Sequence, residues 1–199
     1  MTCSGACDGQ ITVAPTGGNG TYMYSWTPVP PVGQGTATAA QLCAGEWSVS
    51  ITSGACDTTL SFTIVEPTPI AVNLVTTDAS CPGVCDGAAT ATAIGGTGLL
   101  SYTWSPVPAT GQGTASVTGL CSGAHTLTVA DASGCDTTLT FTIIEPLPIT
   151  AQVTVTPETC AGSCTGTAAL VLAGGTGNIT IVWQPAPGGG QGTPAATGL

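Results

Sequence analysis

The sequence GAHTLTVADASGCDTTLTFTI, residues 123–143, contains two alternating segments on either side of a short polar turn. Apolar and β-branched residues alternate with small or polar ones in residues 124–130 and 137–144, which is the pattern of half-buried β-strands. The alternation places Phe141 and Ile143 on the buried face and the intervening threonines on the exposed face. The segment therefore predicts an antiparallel hairpin with its turn at Asp131 to Cys135.

The features of this hairpin recur along the chain with a period of about 78 residues. Repeats of this length indicate tandem modules, each with its own small core. The recurring positions include four cysteines, a Gly-Gly pair, a Gln-Gly-Thr sequence and the tryptophans Trp26, Trp104 and Trp183. The predicted modules are residues 1–67, which lack the first strand, residues 68–146, which are complete, and residues 147–199, which are truncated before the last strands.

The complete module predicts an immunoglobulin-like sandwich. Its predicted strands lie near residues 70–77, 87–94, 99–105, 114–119, 124–130 and 137–144. Short antiparallel strands at this spacing are typical of two packed sheets. The fold class is therefore all-β, with tandem, disulfide-stapled β-sandwich modules. The pairs Glu66-Pro67 and Glu145-Pro146, each followed by a second proline, predict short and stiff linkers.

The composition excludes several classes of function. The 199 residues include no Lys or Arg, one His and ten acidic residues, for a net charge of −10. Such a chain cannot neutralise phosphates, so nucleic acid is excluded as a partner, and trypsin has no site to cut. No apolar run approaches the ~20 residues that a membrane span needs. Because the residue that follows both Leu42 and Leu120 is a cysteine, we expect the chain to continue past Leu199 with another.

The order of motifs resembles a known family. It is C-x-G-x-C-D-G, G-G-T-G, Y-x-W, L-C-x-G, D-x-S-G-C and a final E-P, and it covers essentially the whole chain. In the complete module these motifs lie at Cys81 to Gly87, Gly95 to Gly98, Tyr102 to Trp104, Leu120-Cys121, Asp131 to Cys135 and Glu145-Pro146. The order is similar to the SprB-type repeat of large surface adhesins of gliding Bacteroidota. The resemblance implies a repetitive, secreted, cell-surface protein, exported by the type IX route, whose repeats are not catalytic.

Ten cysteines in Thr- and Gly-rich β-sequence, with no accompanying histidines, predict disulfides and an oxidising, extracellular setting. In a sandwich the first loop and the loop before the penultimate strand lie at the same end. We therefore expect the bonds Cys7–Cys43 and Cys85–Cys121. Each closes a loop of nearly forty residues and contributes roughly 4 kcal/mol in the chain-entropy model.

Cys81 and Cys135 are harder to pair, because the first loop and the last hairpin lie at opposite ends of such a module, about 25 Å apart. Either the topology differs, or the bond joins neighbouring modules. In a head-to-tail array Cys3 would bond to Cys135, and Cys81 to the equivalent of Cys135 in the third module. The partners of Cys56, Cys160 and Cys164 stay open.

The tryptophans and the single histidine are predicted to be packing residues. One tryptophan per module on the third strand is typical of a core anchor, although stacked sugar-binding platforms are an alternative. His125 occupies the position of Trp47 in the first module, which favours a half-buried packing role. With no His in the other modules and no repeated pair of carboxylates in a cleft, we expect no enzyme activity.

Two kinds of polar site are further hypotheses. The carboxylates of Asp78, Asp86, Asp131 and Asp136 are suitable calcium ligands near module ends, although Asp is equally a turn former. No other cofactor is expected. Thr58 and Thr137 resemble O-glycosylation acceptors of the Asp-Thr-x type, and Asn19 and Asn178 begin N-type sequons.

The sequence is compatible with three functions. The first is a structural segment of a surface adhesin or extracellular fibre, which supplies reach, stiffness and protease resistance. The second is an array in which each module binds surface glycans weakly or with calcium. The third is a filament subunit that assembles laterally. The expected partners are further copies of the repeat and surface glycans, in an extracellular location.

Overall fold

The computed structural model describes all of residues 1–199, and every regular element in it is a β-strand. The chain contains no helix with the length and apolar character of a membrane crossing. Module 1, residues 1–67, contains β1 (Gly9–Thr12), β2 (Met23–Thr27), β3 (Thr38–Leu42), β4 (Gly45–Ser53) and β5 (Cys56–Ile64). Module 2, residues 68–146, contains β6 (Ala71–Thr77), β7 (Gly87–Ile94), β8 (Ser101–Ser105), β9 (Ser116–Leu120), β10 (Gly123–Ala130) and β11 (Asp136–Ile143). Module 3, residues 147–199, contains β12 (Thr150–Thr156), β13 (Thr167–Ala173) and β14 (Ala195–Thr197).

Module 2 is a sandwich of two antiparallel three-stranded sheets. One sheet has the order β6-β7-β9 and the other the order β11-β10-β8. The first, second and fourth strands therefore share one sheet, and the third, fifth and sixth share the other, as in immunoglobulin domains. The prediction of tandem β-sandwich modules is confirmed.

The core of module 2 is built around one tryptophan. Trp104 on β8 is only 1% exposed, and it is opposed by the small residues Ala89 and Ala91 on β7. The alanines leave space between the sheets that the indole fills, and burial of so large a ring contributes about 5 kcal/mol as an upper bound. The ring of Phe141 meets that of Trp104 edge-on at 5.9 Å. Ile143 is buried as the alternation predicts.

Modules 1 and 3 are partial versions of this sandwich. Module 1 has a two-stranded sheet, β1-β3, against a three-stranded sheet, β2-β4-β5, with Trp26 buried between them. Module 3 has the single sheet β12-β13-β14. Trp183 is consequently only half buried, because this chain has no counterparts of β10 and β11 to cover it. The prediction of a core anchor describes Trp26 and Trp104 but not Trp183.

The strand register gives modules 1 and 2 two distinct ends each. In module 2 the first loop, residues 78–86, lies beside the end of β9, because Gly87 pairs with Leu120. The β10–β11 hairpin lies at the other end, because Ala130 pairs with both Ser101 and Asp136. We call these the first-loop end and the hairpin end. The first-loop end of module 1 meets the hairpin end of module 2.

Candidate functional site: the junction between modules

The linker between modules 1 and 2 is hydrogen-bonded to both of them. The Glu66 carboxylate accepts a hydrogen bond from the backbone N–H of Gly5 at 2.6 Å. The carbonyl of Thr68 accepts one from the N–H of Gly96 at 2.9 Å. The second junction repeats both contacts, with Glu145 to Gly83 at 2.8 Å and Leu147 to Gly175 at 2.8 Å. The recurring Glu-Pro pair thus anchors a linker in a fixed conformation.

A disulfide bond crosses the same junction. It joins Cys3 in the first loop of module 1 to Cys135 in the hairpin of module 2, with 5.6 Å between the Cα atoms. Of the two alternatives that the sequence left open, the structure has the bond between neighbouring modules. Modules 1 and 2 are therefore joined by two covalent connections, the linker and the disulfide.

The Gly-Gly pair explains how the linker approaches module 2 so closely. Gly95 has φ +84°, and a Cβ atom there would lie 2.1 Å from the carbonyl oxygen of Pro69. Gly174 in module 3 has the same relation to Pro148, at 2.0 Å. Any side chain at these positions would push the linker away, because a heavy atom cannot approach so near.

Asp131 fixes the hairpin that carries Cys135. This residue is 8% exposed, and its carboxylate accepts hydrogen bonds from the N–H groups of Thr97 at 2.8 Å, Ser133 at 2.8 Å and Cys135 at 2.9 Å. The Thr97 amide, assisted by the amides within the hairpin, lowers the pKa of Asp131 below its usual range. The carboxylate thus ties the loop at 95–100 to the hairpin and holds the Cys135 backbone in place.

Module 1 makes the same connection with different residues. Ser53 occupies the place of Asp131, and Asn19 that of Thr97. The N–H of Asn19 donates to Ser53 Oγ at 3.0 Å, and the Ser53 hydroxyl donates to Asn19 Oδ1 at 2.7 Å. The sequence of module 1 lacks an equivalent of Asp131, but the contact between loop and hairpin is retained.

The first-loop ends of modules 1 and 2 are each closed by a disulfide within the module. Cys7 bonds to Cys43 and Cys85 to Cys121, the two pairs expected from the sequence. Asp8 and Asp86 support these loops. The Thr2 hydroxyl and amide lower the pKa of Asp8, and the Ser80 hydroxyl and amide lower that of Asp86.

The recurring Gln-Gly-Thr sequence has a role that was not predicted: it is hydrogen-bonded to the tryptophan of its module. Gln112 Oε1 accepts from the Trp104 N–H at 3.1 Å, its Nε2 donates to the Trp104 carbonyl at 3.2 Å, and the Trp104 indole N–H donates to the Thr114 carbonyl at 2.9 Å. The side-chain amide thus pairs with β8 as a neighbouring strand would. Module 3 repeats all three bonds through Gln191 and Trp183. The strict spacing of Trp and Gln was the available signal.

His125 and Trp47 make equivalent contacts. His125 is 7% exposed, stacks on Phe141 with ring centroids 5.4 Å apart, and has Nε2 2.8 Å from the Cys121 carbonyl. The Trp47 indole N–H donates to the Cys43 carbonyl at 3.0 Å. Both side chains lie over the turn that carries a disulfide, which is a packing role.

The proposed calcium ligands do not converge. Asp131 and Asp136 lie at the hairpin end of module 2, whereas Asp78 and Asp86 lie at its first-loop end, where Asp78 accepts from the Ile144 N–H at 2.9 Å. No three His, Cys, Asp or Glu side chains in the chain are grouped as a metal site. Calcium binding stays a prediction.

The predicted acceptors of glycans lie in different settings. Thr58 and Asn178 are exposed, while Thr137 is half buried and lines a cavity of about 380 Å³ at the junction. The Asn19 Oδ1 atom is already engaged by Ser53 and by the N–H of Thr21. Glycosylation at these positions also stays a prediction.

Four cysteines have no partner in the chain. Cys56, Cys81, Cys160 and Cys164 are exposed thiols. Cys56 lies at the hairpin end of module 1, and the other three lie in the first loops of modules 2 and 3.

These features define a tandem array of β-sandwich repeats that are joined through their ends by linkers and, between modules 1 and 2, by a disulfide. The chain belongs to the SprB repeat family, whose model matches residues 1–30, 73–109 and 152–188. No curated protein matches the chain. A solved structure of the amphioxus IgVJ-C2 molecule is similar at 14% identity with a TM-score of 0.31, over 70% of this chain and 97% of that one.

Proposed function

We propose that this chain is a structural segment of a secreted surface adhesin or extracellular fibre. Its repeats supply reach, stiffness and resistance to proteases. The observation that carries the proposal is the Cys3–Cys135 bond, which joins the ends of two folded modules and contributes to the core of neither.

The two connections at the junction restrict how the modules move. A single linker allows one module to swing about the other, whereas a second attachment at a different point removes most of those rotations. The linker is itself held at both sides by Glu66 and Thr68. A row of such junctions would resist bending along the array. A stalk or fibre requires this stiffness.

Composition supports the extracellular location. Disulfides persist in oxidising compartments, and the absence of Lys and Arg removes every trypsin site. Membership in the SprB family supports a place on a bacterial surface, with export by the type IX route as the finer part of the proposal. Immunogold labelling of intact cells with antibodies against module 2 tests this location, and labelling only after permeabilisation would contradict it.

Small-angle X-ray scattering tests the stiffness. The oxidised chain is expected to give a single narrow distribution of interatomic distances. Cys3→Ser is expected to broaden that distribution and raise the signature of interdomain flexibility, with unchanged β-content by circular dichroism. Cys81→Ser, which removes a free thiol, is the matched control. Identical scattering from oxidised wild type and Cys3→Ser would show that the disulfide does not stiffen the junction.

A further inference from the structure

The hairpin end of module 1 resembles the hairpin end that Cys3 occupies in module 2, with a turn that is one residue shorter. A cysteine closes each hairpin: Ser53 pairs with Cys56 across two residues, and the Asp131 N–H donates to the Cys135 carbonyl at 2.9 Å across three. In both, the hairpin is tied to the Gly-Gly loop. Cys135 is bonded, whereas Cys56 is an exposed thiol.

The first loops share one turn in all three modules. The N–H three residues after the cysteine donates to its carbonyl at 3.1 Å for Cys3, 3.2 Å for Cys81 and 3.0 Å for Cys160. The glycine two residues after each cysteine has φ of +75°, +72° and +78°, respectively. Cys160 is therefore presented on the same turn as Cys3, at the first-loop end of module 3, and it too is an exposed thiol.

We propose that the Cys56 hairpin is a covalent docking site for the first-cysteine turn of another SprB repeat, and that a second copy of this chain fills it through Cys160. The chains are then joined head to tail. The inference rests on the proposed function, because it places between two chains the same kind of disulfide that joins modules 1 and 2 within one chain. The acidic surroundings do not prevent it, since Cys3–Cys135 lies beside Asp131 and Asp136.

The bond forms by thiol–disulfide exchange with oxidised glutathione. The Cys56 thiolate attacks glutathione disulfide and releases one glutathione thiol. The Cys160 thiolate of the second copy then attacks the mixed disulfide and releases the other. One S–S bond is broken and one is made, the two protein thiols are oxidised, and glutathione disulfide is reduced to two glutathione molecules.

The test uses the full chain at high concentration in a glutathione redox buffer at about 0.15 M salt, which screens repulsion between the acidic copies. All proteins carry Cys164→Ser, so that Cys160 is the sole thiol of its loop. Non-reducing electrophoresis is expected to show a ladder of oligomers. Peptic digestion at low pH, which halts exchange, followed by mass spectrometry is expected to find Cys56 linked to Cys160.

Three variants make the assignment specific. Cys56→Ser and Cys160→Ser are each expected to abolish the ladder, and an equimolar mixture of the two to restore dimers that grow no further. Cys81→Ser, the control, is expected to keep the full ladder. A chain that stays monomeric, or that links Cys56 to Cys81 as often as to Cys160, would overturn the inference.

The same digest separates the two proposals. A Cys3–Cys135 peptide without a Cys56–Cys160 peptide would refute only the docking site. Absence of both peptides would refute the covalent junction on which the proposed function rests.

Discussion

The Cys3–Cys135 bond provides a route by which tension bypasses most of the chain. A pull on residues 1 and 199 reaches Cys3, crosses the disulfide to Cys135 and continues along β11 into module 3. The backbone of residues 4–134 lies outside this path, so β11 is the only strand of modules 1 and 2 that lies on it. We therefore expect modules 1 and 2 to stay folded under stretching forces that unfold ordinary sandwiches, and Cys3→Ser to remove this protection.

The size of the effect follows from the disulfide pattern. The Cys3–Cys135 bond spans 132 residues in sequence, of which Cys7–Cys43 and Cys85–Cys121 each lock 36. In the Cys3→Ser chain about 60 residues are therefore free to extend, which is about 210 Å at ~3.5 Å per residue. Because the two Cα atoms are 5.6 Å apart when folded, nearly all of this length appears as new extension.

Single-molecule force spectroscopy with handles at both termini measures this length. Under oxidising conditions the wild-type chain is expected to lack the extension of about 210 Å that Cys3→Ser shows. Cys81→Ser should match wild type, and full reduction of the wild type should release about 460 Å. Module 3 unfolds in both chains, so the difference between their total extensions is the quantity that counts. Equal total extensions from oxidised wild type and Cys3→Ser would refute the reasoning, because tension would then still pass through modules 1 and 2.

Three further predictions concern the stability of module 2. Gln112→Ala leaves the Trp104 N–H without its acceptor and the Trp104 carbonyl without its donor, and is expected to cost about 1–3 kcal/mol in urea unfolding. Gln112→Glu keeps the acceptor but sets a carboxylate oxygen against the Trp104 carbonyl, so it should also destabilise; wild-type stability of either variant would contradict the pairing. Because the pKa of Asp131 is lowered in the folded state, the stability it gives is present above the usual Asp pKa of about 4 and is lost as pH falls through the folded value. The melting temperature of Asp131→Asn should therefore fall less than that of wild type as the pH is lowered. Parallel curves of melting temperature against pH would refute this. His125→Trp, which copies Trp47, should destabilise less than His125→Ala, for which we expect a loss of about 2 kcal/mol or more by calorimetry.

Much of the fold could be predicted because local chemistry and the repeat agree. The alternation around Phe141 and Ile143 sets the faces of β11, and the recurrence of Trp and Gly-Gly sets the module length. The pairs Cys7–Cys43 and Cys85–Cys121 followed from which loops share an end. The choice for Cys3 depended on how neighbouring modules face each other, and alternation along a strand carries no information about that.

Other features could not be predicted from the sequence. In one case a side chain pairs with a strand in place of another backbone, and in another a different pair of side chains makes the same contact. The amide of Gln112 pairs with the backbone of β8, and the constant spacing of Trp104 and Gln112 marks the two residues without showing how they contact each other. From the sequence, Ser53 indicates only that the aspartate is absent. The structure shows that Ser53 keeps the contact through Asn19. Trp183 repeats the motif of Trp104, but burial depends on the strands that cover it.

Module 1 has Asn19 and Ser53 where module 2 has Thr97 and Asp131. This difference has a consequence for how the gene can change. Tandem copies recombine readily, and units are gained, lost or shuffled at crossovers between similar segments. The loop and hairpin positions lie 34 residues apart in both modules. A crossover between them would place Asn19 beside Asp131, or Thr97 beside Ser53, two combinations that neither module contains. Crossovers that fall in the linkers keep each loop with its own hairpin, and we expect selection to favour them.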